Sequence, residues 1–170
     1  MQTEQGRRAA EASTVLFLRG RLGSDSVSER RQWLARAAAD GHIPAMYELA
    51  LESNDPTEKR RWLREAAHVG YVPAMYEFAR LCSNTIHRRR WLKQAAEEGH
   101  VGAMYALALD CEDLAEKKRW LTMAAEEGHV PAMFDLGLLC DSVWERERWL
   151  EEAARNGCQA AILELLGTEC

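Results

Sequence analysis

Apolar residues recur along this chain on two scales. Within short windows the step is helical: Trp62, Leu63, Ala66 and Ala67 stand at i, i+1, i+4 and i+5, one face of a 3.6-residue period. Met46, Leu49, Ala50 and Ser53, at i, i+3, i+4 and i+7, make a second stripe. Across the chain both stripes return every 29 residues. Trp33, Trp62, Trp91, Trp120 and Trp149 keep that step, and so do Gly41, Gly70, Gly99, Gly128 and Gly157. Ala45, Ala74, Ala103, Ala132 and Ala161 follow, with no insertion across five copies.

Each copy predicts two short helices. Helix B begins at an N-cap column of Ser26, Asp55, Asn84, Asp113 and Ser142, whose side chains suit free backbone amides. Three residues on stand Glu29, Glu58, His87, Glu116 and Glu145, so four of five copies predict a capping box. Helix B buries its Trp, Leu and paired Ala and stops at the glycine in a left-handed cap. Helix A follows, for example from near Pro73 to Cys82. Helices of about 10 to 13 residues are marginal alone, so stability must come from stacking.

The pattern therefore predicts an all-α chain, an α-solenoid of stacked antiparallel helix pairs forming one domain over 1–170. Residues 4–25 read as an N-terminal capping helix, 26–157 as helix-pair repeats, and 158–170 as a C-terminal helix or cap. In the first segment Phe17 falls in the Met46 column and Ala12 in the Gly41 column. Ile162, Leu163, Leu165 and Leu166 make the last helix apolar on its outer face, where folding inward as a cap is favoured over contact with another copy or a partner.

The string Trp-Leu-x-x-Ala-Ala-x-x-Gly-His-x-x-Ala-Met-Tyr-x-Leu-Ala, clearest at 33–50, 91–108 and 120–137, resembles the Sel1-like repeat, a relative of the tetratricopeptide repeat. The resemblance covers about residues 26–166. It implies a right-handed superhelix with helix A lining the concave side, used for protein–protein interaction, and it does not imply catalysis. Two departures stand out. The Gly-rich loop between helices A and B is replaced by connections such as Ser53-Asn54-Asp55. The helix-A Asn column reads Glu48, Glu77, Ala106, Asp135 and Glu164, so its peptide contact does not carry over.

Composition adds limits. Hydrophobic residues are 47% of 170, enough for a continuous core. A net charge of -5 argues against generic binding to nucleic acid or anionic membranes. The best apolar run, Val15 to Leu18, is closed by Arg19, far short of the roughly 18 residues a membrane span needs. Neither that run nor its flanks make a secretory signal, so a soluble cytoplasmic protein is expected. Cys82, Cys111, Cys140, Cys158 and Cys170 contain no Cys-x-x-Cys pair, so neither a disulfide framework nor a structural zinc is expected.

Candidate chemistry follows the columns. Glu48, Glu52, Glu77, Asp110 and Asp135, with Leu81 among the positions that vary between copies, lie opposite the helix-A core stripe. They would form an acidic trough for a basic peptide or helix. Thirteen cations stand before the Trp column, among them Arg31, Arg60, Arg61, Arg89, Arg90, Lys118 and Arg119. They oppose the helix dipole, so carboxylates within and between repeats should offset them. The alternative is a ridge for an acidic partner or nucleic acid. The Trp and Tyr columns read as packing, with Trp144 a partly exposed contact point. His42, His100 and His129 read as caps for neighbouring helix ends, and Cys82, Cys111 and Cys140 as small buried hydrophobes. No catalytic motif, metal set or cofactor fingerprint is present, so no enzyme and no cofactor are expected. The leading expectation is a non-enzymatic interaction scaffold or adaptor. A nucleic-acid binder and a self-associating structural protein are the alternatives.

Overall fold

A computed structural model describes residues 4–22 and 26–167. Cys170 and the far ends of both expected caps, 23–25 and 168–170, lie outside the described residues. The described chain is all α-helical and divides into two compact units. The first, Met1–Asn84, holds α1 (Glu4–Leu22), α2 (Val27–Ala39), α3 (Ile43–Glu52), α4 (Pro56–His68) and α5 (Val72–Arg80). The second, Thr85–Cys170, holds α6 (Thr85–Glu97), α7 (Val101–Asp110), α8 (Leu114–Glu126), α9 (Val130–Leu139), α10 (Val143–Arg155) and α11 (Gln159–Gly167). In each unit every helix packs on the next in sequence. Even-numbered helices are the B helices, and α1 takes the place of an A helix.

The turn from B to A is the same structure five times. Gly41, Gly70, Gly99, Gly128 and Gly157 have φ between 86° and 99°, the left-handed region that a Cβ disfavours. In the first copy His42 N–H donates to Ala37 O and Gly41 N–H to Ala38 O, both at 3.0 Å. This is a Schellman cap, and it satisfies the last free carbonyls of helix B. The same residue then starts helix A. Ala45 N–H donates to His42 Nδ1 at 3.2 Å, Ala103 N–H to His100 Nδ1 at 3.1 Å, and Ala132 N–H to His129 Nδ1 at 3.3 Å. The His column caps helix ends as expected.

At the other turn Ser26, Asp55 and Asp113 accept from first-turn amides, whereas Ser142 makes no such bond. The reciprocal half of the expected capping box is not what Glu58 and Glu116 provide. Glu58 Oε2 instead accepts from Ser53 Oγ at 2.6 Å, and Asp55 N–H turns to Ser53 Oγ at 3.3 Å. A charged partner in the preceding B helix holds each Glu more strongly than a neutral amide does.

The core is leucine and alanine. Leu34, Leu63, Leu92, Leu121 and Leu150 are fully buried beside their Ala pairs. Of the Trp column only Trp120 is buried, and the other four lie half-exposed at the edge. Guanidinium groups lie over Trp33, Trp62, Trp120 and Trp149, which the wide indole faces favour.

The register of α1 is also corrected. Phe17 stacks on His42 with centroids 4.5 Å apart, as Tyr105 packs on His129 at 4.6 Å. Gly20 meets Leu34 as Gly137 meets Leu150. Phe17 therefore does the work of the Tyr column, one residue from its place in the 29-residue count. In α11 Leu163 and Leu166 face solvent while Ala161 is buried, so the apolar face does not fold fully inward.

Candidate binding surface

Ion pairs place the A helices of the first unit side by side. Arg21 of α1 lies 3.7 Å from Glu48 of α3. Arg30, from the start of α2, reaches Glu52 at 2.6 Å and Glu48 at 3.7 Å. Tyr47 meets Tyr71 edge to face at 5.4 Å. Between these groups opens a cleft of about 600 Å³, lined chiefly by Phe17, Tyr47, Tyr71, Leu51 and the four charged side chains. Pockets of this size suit small ligands or a short peptide segment.

The expected trough residues thus fall into separate settings. Glu48 and Glu52 sit in the cleft, already facing cations. Glu77 is paired within its own helix, to Arg80 at 3.2 Å. Leu81 is half-buried, and its carbonyl accepts from Arg60. In the second unit Asp110 is held by Arg88 through two bonds of 2.9 Å. Asp135 accepts from Tyr105 Oη at 2.9 Å. Burial first, and then that acceptor, push the Tyr105 hydroxyl up to about 12. The A helices of the second unit expose Leu109, Leu138 and Leu163, as α3 of the first unit exposes Leu51.

The basic column is used inside the fold. Arg31 bonds Glu58 at 2.5 Å, Arg89 bonds Glu116 at 2.9 Å, and Lys118 bonds Asp141 at 2.9 Å. Arg31 and Arg89 thus staple one copy to the next, whereas Arg60, on the Leu81 carbonyl, and Lys118 each reach just past the A helix of their own copy, and α10 has Glu147 at this position. Arg61 pairs with Glu65 at 3.1 Å, and Arg119 lies over the Trp120 ring. Arg90 is exposed. The partly exposed pairs Arg31–Glu58 and Arg89–Glu116 contribute about 0.2 to 1 kcal/mol each. Trp144 is exposed, with Arg148 beside it.

The described cysteines, Cys82, Cys111, Cys140 and Cys158, are free thiols. Burial, then the nearby carboxylates, push the Cys111 and Cys140 thiols up, which keeps them protonated and unreactive. Among the described residues no group of three His, Cys, Asp or Glu is placed to hold a metal, and no helix is long and apolar enough to cross a membrane.

A Sel1 repeat protein from Oxalobacter formigenes superposes with a TM-score of 0.78 at 21% identity, covering 94% of this chain and 76% of that one. This is the Sel1-like repeat fold. A protective antigen of uropathogenic Escherichia coli, described as displaying the same fold, matches with a TM-score of 0.78 at 20% identity. That match covers 95% of this chain, which spans 42% of the antigen. An immunity protein from Pseudomonas aeruginosa is more distant, with a TM-score of 0.54 at 17% identity over 95% of this chain and 68% of that one. No protein-family model and no curated protein is a significant match. The Sel1-like repeat here is built with short connections and an acidic helix-A column. Sequence reasoning named Glu48 and Glu52 but missed Arg21, Arg30 and the three rings around them. The available signal was an offset of 22 residues, linking Arg30 to Glu52 and Arg88 to Asp110.

Proposed function

We propose that this chain is a non-enzymatic interaction scaffold whose helix-A side receives a segment of another protein. One observation carries this reading: the cleft of about 600 Å³ where Phe17, Tyr47 and Tyr71 stand beside Arg21, Arg30, Glu48 and Glu52. Apolar walls with a few convergent polar groups are what a bound segment needs for contact area and orientation. On the helix-A side of each unit by itself, Glu77 and Leu81 in the first and Asp110 and Asp135 in the second extend the reading as an acidic face that favours basic segments. An adaptor working in the cytoplasm belongs to it, and the four free thiols suit a reducing compartment.

The test is binding to a partner captured by crosslinking and then purified. Neutralising Glu48, Glu77 and Asp135 together should weaken binding severalfold while circular dichroism stays helical. Unchanged affinity would remove the acidic face. A second reading, self-association, is favoured by Leu163 and Leu166, which are 62% and 60% exposed. A strictly monomeric mass at high concentration would remove it.

A further inference from the structure

The same pair is built twice, once in each unit, with different results. In the second unit Arg88 grips Asp110 as a fork: Nε and Nη2 each donate at 2.9 Å, and both carboxylate oxygens are used. In the first unit Arg30 and Glu52 occupy the equivalent places, but only Nη2 to Oε1 closes, at 2.6 Å. Arg30 Nε and Glu52 Oε2 are buried with no hydrogen-bond partner. Glu48, where the second unit has Ala106, adds a third such atom, its Oε2. Among the described residues one other side-chain atom is in this state, Arg146 Nε, and it stands by itself in the second unit. Three buried polar atoms without a hydrogen bond cost stability, even with Glu48 Oε2 facing Arg30 Nη2 at 3.7 Å, so their concentration at one cleft asks for a reason.

The inventory defines what would complete them. The set is one donor and two acceptors, among four charges that sum to zero. A guanidinium or ammonium brings donors only, leaves Arg30 Nε unpaired, and sets a third cation beside Arg21 and Arg30. A carboxylate or phosphate brings no donor for the two Oε2 atoms. A primary carboxamide brings two N–H and one C=O, and it is neutral. The flat rings of Phe17, Tyr47 and Tyr71 suit its plane and stem. The three atoms are buried, and they belong to side chains that line the cleft. The terminal torsions of Glu48 and Glu52 are soft, and Arg30 is partly exposed, so small rotations present them.

We propose that this cleft recognises the side-chain carboxamide of an asparagine or glutamine in the bound segment. The proposal rests on the scaffold reading and names the anchor that reading leaves open. The test is selection of a random-peptide display library on the full chain, followed by affinities for individual synthetic peptides. Enriched peptides should share an Asn or Gln whose change to Glu, Arg or Ala weakens binding about tenfold or more. Leu51→Trp, which fills the cleft from an exposed position, and Glu48→Gln, which alters the acceptor set, should each abolish that preference with helicity unchanged. Peptides that bind equally well after Gln→Arg, or whose binding ignores Leu51→Trp, overturn the carboxamide anchor and leave the scaffold standing. A selection that yields no binder overturns both.

Discussion

At the scale of single residues, the repeated turn works because one position serves two helices. The residue after the glycine closes the Schellman cap of helix B with its amide and, where it is His42, His100 or His129, caps helix A with its imidazole. Capping needs a neutral ring with the proton on Nε2, since Nδ1 must accept. Burial lowers the His42 and His129 pKa from 6.5, against the pull of Glu48 and Asp135. The folded state therefore holds fewer protons than the unfolded chain near that value. Cap stability is full above pH 6.5 and is lost as pH falls through it toward the lower folded values. Replacing both by Asn keeps a capping oxygen without a titration. Thermal melts at about pH 7.5 and 5.5 should fall less for the double Asn variant than for the native chain. An equal fall would show that these caps do not sense pH. In the copy where Tyr71 follows the glycine, Gly70 has φ 99° and open space where a Cβ would stand, so Gly70→Ala carries a backbone cost alone. Denaturant unfolding should register about 1 to 2 kcal/mol, with the fold intact. Both roles were legible, because a glycine followed by His at a fixed step has few other meanings.

At the scale of elements, the helix pattern was readable but its weights were not. Periodicity placed Trp and Leu on one face without saying which sits at the centre. A leucine beside two alanines fits between closely packed helices. An indole is too wide for that seam and lies at its edge beneath an arginine. The difference predicts an inversion of the usual size rule. Leu63→Ala removes a fully buried side chain and should cost about 2 to 5 kcal/mol. Trp62→Ala removes a half-exposed one and should cost less, despite losing the larger group. Parallel urea titrations of the two variants decide it, and a larger loss at Trp62 would return the indoles to the core. The Arg and Glu staples were readable only as available charge. Their partners are 27 residues away, a step that becomes visible once α2 and α4 stand side by side.

At the scale of the whole molecule, the repeat is what the sequence displays most openly, whereas the division at Asn84 is silent. Asn84 is an ordinary member of the N-cap column, and the Trp, Gly and Ala columns continue past it unchanged. Net charge hides more. The total of -5 conceals a basic start to each B helix, and those cations decide whether nucleic acid is a plausible partner. Free lysines and arginines bind phosphates by releasing counterions. Here Arg30, Arg31, Arg88, Arg89 and Lys118 already face carboxylates at 2.5 to 2.9 Å. A phosphate would have to break those pairs and would approach the carboxylates beside them, in a chain whose overall field repels it. Filter binding with RNA and DNA should therefore show no retention, even at about 20 mM salt, where the Debye length exceeds 10 Å and attraction is least screened. Retention that falls steeply between two salt concentrations would mean the staples open at little cost, and the basic column would again be a binding surface. Neutralising Glu58 and Glu116 separates the cases further. If the staples hold the cations in reserve, Glu58→Gln with Glu116→Gln should create salt-sensitive retention that the native chain lacks. If the cations are simply too few, the variant should stay as inert as its parent.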